Sequence, residues 1–215
     1  GRPKGIKIEH RGVVRLVKNT NVLAFNEKDR ILSTAPVIFD VFIFDYWEKT
    51  QRQDIMVQFS QPVLAGDALE AVRHQEVERA EGVLEFPATL SGPDGQIDST
   101  IQALDMNSTL CRLYRENGSR AYTEQEGIVL SEHMANVMGV KKGSFIEIKI
   151  SYPEERISSI PVTDIIAQYM GSSAYMSYEG AAEISDYRNV YTSVLLKAPP
   201  FVLEEIRHKL DDASA

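Results

Sequence analysis

Alternation of apolar and polar positions recurs along most of the chain and predicts a protein rich in β-strands. Between 54 and 60, Ile55, Val57 and Phe59 are separated by Met56 and Gln58. Successive side chains of a strand point to opposite faces, so a period of two is typical of a strand with one buried face. The same pattern predicts further strands over 6–17, 83–90, 96–104, 127–130, 144–151, 156–169 and 189–198.

Apolar residues spaced three to four apart predict short helices between these strands. The helix over 131–139 has both end signals, because Ser131 and Glu132 suit its first turn and Gly139 suits its end. A helix over 36–52 would have Pro36 in its first turn, although its aromatic density leaves a strand open. The other helices are predicted over 64–74, 108–114, 178–185 and 199–212. The predicted class is α+β, with two small lobes of mixed or antiparallel sheet and short helices.

Charge divides the chain unevenly. Residues 1–52 hold ten Lys or Arg and six Asp or Glu, whereas residues 53–215 hold thirteen and twenty-five. An acidic body disfavours nucleic-acid binding, since phosphates need a basic surface. The basic first segment suits anionic lipid or another subunit, and it equally suits a solvated arm. One cysteine excludes a disulfide scaffold.

No stretch of the sequence is predicted to span a bilayer, because about 18 consecutive apolar residues are needed. The nearest approach, 35–47, is interrupted by Asp40 and Asp45. The chain begins at Gly1 where a Met would start a complete protein. We therefore expect this sequence to be a piece of a longer one.

Residues that carry chemistry do not fall into a recognisable catalytic or metal-binding pattern. The histidines lack the spacing of a zinc site, Cys111 lacks a nucleophile signature, and no Gly-rich phosphate loop is present. We expect a non-enzymatic domain without cofactor or metal. An enzyme of the hydrolase or transferase class that uses Asp105, His133 and Asp164 stays open as an alternative. The histidines are His10, His74, His133 and His208.

Tyrosines and methionines between 169 and 178 form a candidate partner interface. Both residue types are favoured at interfaces, because they combine large contact area with adaptable packing. The same spacing also fits a strand whose alternate members lie in the core. The candidate residues are Tyr169, Met170, Tyr175, Met176 and Tyr178.

Five segments stand out by their order and spacing: Arg52–Phe59, Glu81–Glu85, Glu126–Glu132, Val137–Ser144 and Gly171–Met176. Together they resemble the extracytoplasmic domain of an FtsX/MacB-type ABC transporter permease, over roughly residues 37–210. Ser144 departs from the acidic residue that the family usually has there. We therefore assign 31–215 to a MacB-like extracytoplasmic domain, with two lobes that meet near 105–120, and leave the basic segment 1–30 unassigned.

The resemblance implies a MacB-like periplasmic core fold and a mechanical function. Such a domain transmits an ATP-driven conformational change and binds a partner or substrate outside the membrane, without catalysis. The implied partners are a cognate cytoplasmic ABC ATPase, reached through transmembrane helices that this sequence lacks, a periplasmic or outer-membrane protein, and a second copy of the permease. The implied location is the inner or cell membrane, with this domain on its periplasmic or extracellular side.

In the family, the segment that resembles 36–52 continues the first membrane helix. The resemblance therefore implies that Phe39, Phe42, Phe44 and Trp47 lie near the bilayer. The helices over 36–52 and 199–212 are then candidates for two stiff helices that lead out of the membrane. A stand-alone, soluble, ligand-binding β-barrel is the rival interpretation, and a closed barrel that includes 127–169 would favour it.

Overall fold

The computed structural model describes residues 46, 48–151, 154–168 and 173–213. Phe42–Ala215 form one compact unit. The strands are β1 (Ile55–Leu64), β2 (Arg79–Ser91), β3 (Gln96–Leu104), β4 (Leu113–Tyr114), β5 (Arg120–Ala121), β6 (Ile128–Ser131), β7 (Phe145–Ile150), β8 (Arg156–Ile166), β9 (Ser173–Ser177) and β10 (Val190–Lys197). The helices are α1 (Ala65–Ala71), α2 (Glu132–Met138), α3 (Tyr178–Ser185) and α4 (Pro200–Ala213).

A small antiparallel sheet in the order β1-β10-β2 carries α1 and α4 on one face. We call this part, with the first half of β2, the connecting lobe. Its core forms where apolar residues of both helices meet the inner face of β10, and the members are Ala68, Val72, Val194, Leu196, Ala198, Val202 and Ile206.

A closed barrel forms the second part of the domain. Its strands pair in the order β2-β3-β9-β6-β8-β7, and β7 pairs with β2 again to close the ring. The closing register places Leu90 opposite Ile148, and both side chains are fully buried. Two pairs, β3 with β9 and β6 with β8, are parallel, so the sheet is mixed as predicted. Helices α2 and α3 pack against the same core through Met134, Met138 and Ala181.

Strand β2 is shared between the two parts. Its first half, up to Val83, pairs with β10, and its second half, from Leu84, pairs with β3. The chain leaves the connecting lobe along β2, completes the barrel and returns at β10. The barrel is therefore an insertion between two neighbouring strands of the connecting lobe.

The segment 105–123 forms a small layer beside the junction of the two parts. Leu110, Cys111 and Leu113 share a buried cluster with Leu195 of the connecting lobe and Val129 of the barrel. The chain itself crosses between the two parts within β2. That two lobes meet near 105–120 stays a prediction.

The helix predicted over 108–114 is wrong: Leu113–Tyr114 form a strand that pairs with Arg120–Ala121. The physical reason is that the backbone of this segment pairs with residues outside it. The Leu110 carbonyl accepts a hydrogen bond from the Arg52 N–H, and the Arg112 N–H donates to the Thr50 carbonyl, both at 2.7 Å. In a helix over 108–114 these two groups would instead bond within the segment.

The predicted ends of α2 are confirmed. Ser131 Oγ accepts a hydrogen bond from the backbone N–H of Met134 at 3.2 Å, and Gly139 has the left-handed φ of 68°. A side chain at Gly139 would also collide with Asp94, whose Oδ2 atom lies 2.0 Å from the position of a Cβ. Local signals therefore suffice for this helix.

The described part of α4 packs against the connecting lobe. That this helix leads out of the membrane stays a prediction. Val202 and Ile206 are buried in the core of the connecting lobe. Lys209 Nζ donates to the carbonyl of Glu70 at 3.5 Å, at the end of α1. Helix α4 therefore runs back over its own sheet beside α1.

Most of the predicted helix over 36–52 lies outside the described residues, although Tyr46 and Glu48–Thr50 are helical. The four aromatic residues assigned to the bilayer also lie outside, as do the strand predicted over 6–17 and the segment 1–30. Within the part of the chain that the structure describes, no helix combines the length and apolar character needed to cross a membrane.

Candidate functional site

A cavity of about 490 Å³ lies where the start of β1, the connecting lobe and the barrel meet. We call it the junction cavity. Its walls combine amide and carboxylate side chains with aliphatic ones. The described lining residues are Gln51, Gln53, Asp54, Ile55, Met56, Val83, Glu85, Gln102, Leu104, Cys111, Gln168, Ser173, Tyr175 and Leu195.

Backbone hydrogen bonds fix the segment that enters the domain along this cavity. The Arg52 N–H donates to the Leu110 carbonyl, and the Arg112 N–H donates to the Thr50 carbonyl, both at 2.7 Å. These bonds lie on either side of Gln51 and directly before Gln53. They therefore fix the backbone of this segment just before β1 begins. The entering chain is therefore attached to the 110–112 segment as well as to the sheet.

Asp54 joins the beginning of β1 to the end of β10. Its carboxylate accepts hydrogen bonds from Lys197 Nζ at 2.8 Å and from the Ala198 N–H at 3.1 Å. Its own N–H donates to the Leu196 carbonyl at 2.8 Å. The point where the chain enters the connecting lobe and the point where it leaves β10 for α4 are therefore side by side.

The polar wall of the junction cavity is rich in hydrogen-bond acceptors. Glu85 accepts from two neutral groups, Gln102 Nε2 at 2.6 Å and Ser193 Oγ at 3.5 Å. The amide oxygens of Gln53 and Gln168 are buried and have no hydrogen-bond partner among the described residues. A buried carbonyl oxygen without a donor is costly, so these two atoms destabilise the wall locally.

Two ionisable groups of the cavity wall are uncharged at neutral pH. Burial raises the pKa of the Cys111 thiol to about 12, and it raises the pKa of Tyr175 well above its usual value. A thiol is nucleophilic only as a thiolate, so Cys111 is unreactive in the folded chain. The formal charge of the cavity wall therefore comes from its two carboxylates, Asp54 and Glu85.

Glu81 organises the loop beside the cavity. Its carboxylate accepts from Ser108 Oγ at 2.6 Å and Arg79 Nε at 2.6 Å, besides the Thr109 and Leu110 backbone. Burial disfavours the charged form, but the bonds from Ser108, Thr109 and Arg79 outweigh it, and the pKa of Glu81 is lowered. Glu81 is thus charged, and both of its carboxylate oxygens already accept hydrogen bonds from the protein.

A second ion pair joins the β4–β5 hairpin to the barrel. Arg115 Nε donates to Asp164 Oδ1 at 3.0 Å, the second guanidinium nitrogen bonds the other carboxylate oxygen, and Lys142 Nζ lies 3.9 Å away. Burial raises the pKa of Asp164, but the bond from Arg115 outweighs it and the pKa is lowered. Asp164 is therefore committed to a structural contact.

The residues of the enzyme alternative have separate roles. Asp105 Oδ1 accepts from the Asn107 N–H at 2.7 Å within a turn, His133 is exposed on α2, and Asp164 pairs with Arg115. His74 Nε2 lies 3.1 Å from Glu205 at the surface. Among the described residues, no three His, Cys, Asp or Glu side chains are grouped as metal ligands.

The predicted partner interface is partly inside the core. Tyr175 and Met176 are 5% and 1% exposed, and Tyr178 packs beside the barrel core, with its hydroxyl donating to the Val190 carbonyl at 3.0 Å. This is the alternative of core packing that the spacing left open. Tyr175 reaches the junction cavity, whereas Tyr169 and Met170 lie outside the described residues. A partner interface at this segment stays a prediction.

The polar residues of the junction cavity were missed by sequence reasoning. Glu85 was the available signal, because it is a charged residue between two apolar ones, Leu84 and Phe86. The amides of Gln53 and Gln168 carried no such signal, since glutamine is common on exposed strand faces. Only the fold brings these residues together.

Comparison with solved structures shows the fold. The chain is similar to the extracellular domain of the ABC-type transporter YknZ from Gram-positive bacteria, with a TM-score of 0.51 and 11% identity over 74% of this chain and 94% of that one. The periplasmic region of MacB from Actinobacillus actinomycetemcomitans aligns with a TM-score of 0.48 and 11% identity, over 73% of this chain and 75% of that one. The predicted MacB-like α+β fold is confirmed by the similarity to YknZ.

Comparison of sequences gives a different and shorter likeness. No family model matches the chain. Gramicidin S synthase 2 of Brevibacillus brevis is 51% identical over 45 residues, 21% of this chain, and the nonribosomal peptide synthetase kk1B of Curvularia clavata is 34% identical over 108 residues, 49% of this chain. The chain spans about 1% of the length of either synthetase. These matches do not place the chain in the synthetase family.

Proposed function

We propose that this chain is the non-catalytic extracytoplasmic domain of an ABC transporter permease, which transmits ATP-driven conformational change and binds a partner or substrate outside the membrane. The observation that carries the proposal is the fold it shares with the extracellular domain of YknZ, of which it covers 94%. The five ordered sequence segments support the same family independently of the structure.

The way the barrel is inserted suits a mechanical domain. The chain enters at Asp54 and leaves β10 beside it, so both connections of the barrel to the rest of the protein pass through the connecting lobe. A force on the entering segment would act on β1 and on the 110–112 segment together. The barrel would then move as one body, since a closed and well-packed ring has no soft edge.

The proposal includes partners and a location. A cognate cytoplasmic ATPase would act through transmembrane helices, a second permease copy would complete the transporter, and a periplasmic or outer-membrane protein would contact the domain. The domain would face the periplasm or the cell exterior. Its acidic composition supports a role other than nucleic-acid binding.

The flanking sequences of the full-length protein test the proposal. We expect an apolar segment of about 20 residues on each side of the domain, and retention of the full-length protein in membranes washed with alkaline carbonate. Hydrophilic flanks together with release into the wash would contradict it. The isolated chain, expressed in the same cells, is the control and should remain in the soluble fraction.

The closed barrel is the observation that favours the rival, a stand-alone ligand-binding module, because it includes residues 128–166. However, β2 runs without a break from the connecting lobe into the barrel, and the whole domain, not the barrel alone, has the YknZ fold. The flank experiment separates the two functions, since a stand-alone module needs no membrane segments.

A further inference from the structure

The junction cavity has the chemistry of a ligand site. Its volume of about 490 Å³ lies within the range of small-molecule pockets, roughly 300–1,000 Å³. Its polar wall includes the Glu85 carboxylate. A ligand with N–H donors would hydrogen-bond to this carboxylate.

The charge of the cavity selects a cation. The described lining includes Asp54 and Glu85 but no Lys or Arg. Lys197 neutralises Asp54 at 2.8 Å, whereas the hydrogen bonds described for Glu85 come from the neutral groups of Gln102 and Ser193. The Glu85 carboxylate thus provides a negative charge that no described hydrogen-bond donor neutralises.

Apolar residues of the wall favour an organic cation over a metal ion. Met56, Leu104 and Leu195 line the same cavity, and these side chains offer no ligand to a hard cation such as Ca²⁺, which prefers six to eight oxygens. An alkyl or ring portion of a ligand would instead bury against them. We propose that the junction cavity binds a small amphiphilic organic cation, with an ammonium or guanidinium group directed at Glu85.

Such a ligand would contact both parts of the domain. Gln53 belongs to the entering segment and Leu195 to the connecting lobe, whereas Gln102 lies on a barrel strand. Binding would therefore bias the position of the barrel relative to the entering chain. The inference rests on the proposed function only for the side of the membrane on which the domain would meet the ligand. Binding itself is measurable on this chain. If no binding is found, the result of the flank experiment is unaffected.

Isothermal titration calorimetry on the complete chain tests the proposal, with n-hexylguanidinium and n-hexylammonium as probes and n-hexanol as the neutral control. We expect saturable binding of at least one cation and none of n-hexanol. Glu85→Gln should weaken that binding at least tenfold, because it removes the charge and retains an acceptor. Met56→Gln, of similar length, should weaken it about three- to tenfold, because it removes apolar surface from the cavity wall.

Glu183→Gln is the matched control, since Glu183 lines a separate groove beside Phe145 and Ile157. It should leave the affinity unchanged, and circular dichroism should show that all three variants are folded. The proposal is overturned if neither organic cation binds, or if Glu183→Gln weakens binding as much as Glu85→Gln. It is also overturned if Ca²⁺, titrated in the same way, binds and neither organic cation does. Equal binding of n-hexanol would also overturn it, because the cavity would then be a merely apolar site.

Discussion

The barrel and the connecting lobe share strand β2 but differ in how their strands are paired. Each part has fully buried apolar residues, such as Leu90 and Leu196, and each has exposed ones, such as Phe145 at 65% and Leu64 at 55%. The barrel strands close into a ring, while β1 is the outermost described strand of its sheet. Closure therefore lets the barrel exclude water from its interior, and the connecting lobe keeps one strand open to its surroundings.

This difference suggests a division of labour. A ring whose core is filled and whose strands are all paired resists deformation, because packed interiors have low compressibility. The connecting lobe holds both attachments of the barrel, and its core contains fewer fully buried residues. We expect changes in shape to be concentrated in the connecting lobe and at the junction cavity, and the barrel to stay intact.

The largest expected contrast comes from the same truncation made in both parts. Leu90→Ala should lower the free energy of unfolding by about 2–5 kcal/mol, because it opens a cavity in the barrel core. Leu64→Ala should change it by less than about 0.5 kcal/mol, since that side chain is 55% exposed. Urea unfolding followed by circular dichroism measures both. Similar losses for the two variants would contradict the filled barrel core and the open outer strand.

The next effect concerns the buried carboxylate beside the junction. Glu81→Gln should cost about 1.5–3 kcal/mol at pH 7, because its charge-assisted bonds to Ser108, Thr109 and Arg79 are lost or weakened. Glu78→Gln, on an exposed neighbouring side chain, is the control and should be nearly neutral. Equal stability of the Glu81 variant and the wild type would show that the 108–110 loop is held by other contacts.

Glu81 also predicts a dependence of stability on pH. Its pKa is lowered in the folded chain, so the unfolded chain binds this proton more readily. The stabilisation is complete above the unfolded pKa, near 4.5, and is lost as the pH falls through the folded pKa. Unfolding free energies measured between pH 7 and pH 3 should fall less steeply for Glu81→Gln than for the wild type. Parallel curves would contradict the assigned direction.

The smallest effect concerns the attachment of the β4–β5 hairpin. Asp164→Asn should cost about 1 kcal/mol, because the side chain of Arg115 is 35% exposed and solvent weakens the pair. Amide hydrogen exchange should accelerate at Leu113 and Ala121 and stay unchanged in the barrel. Glu116→Gln, at the exposed tip of the same hairpin, should leave exchange unaltered. Faster exchange throughout the barrel would mean that the two regions are not separable.

Local signals determined how much of the fold could be predicted. Helix α2 was predictable because Ser131 and Gly139 fix its ends through contacts within a few residues. The helix over 108–114 failed because the backbone of Leu110 and Arg112 pairs with the entering segment at Thr50 and Arg52. Closure of the barrel depends on β2 meeting β7, and no turn or spacing in the sequence encodes that pairing.

The candidate site was harder to predict than the fold. Glu85 lies between the apolar residues Leu84 and Phe86, so it could have been identified as a site candidate from the sequence. Gln53, Gln102 and Gln168 become a group only when three parts of the chain meet. Likewise, Tyr175 and Met176 have the composition of an interface and the location of a core. Residue type alone does not separate these environments, because Tyr and Met suit both.

The most direct test of the central claim is the side of the membrane on which the domain lies in intact cells. Glu116→Cys places an exposed thiol on the β4–β5 hairpin, while the native Cys111, buried and with a pKa of about 12, should not react. We predict that a membrane-impermeant maleimide labels the full-length variant in intact cells, after removal of any outer membrane, and leaves the parent protein unlabelled, both made after any cysteines outside residues 1–215 are replaced by serine. Labelling of the variant only after the cells are lysed would contradict an extracytoplasmic domain.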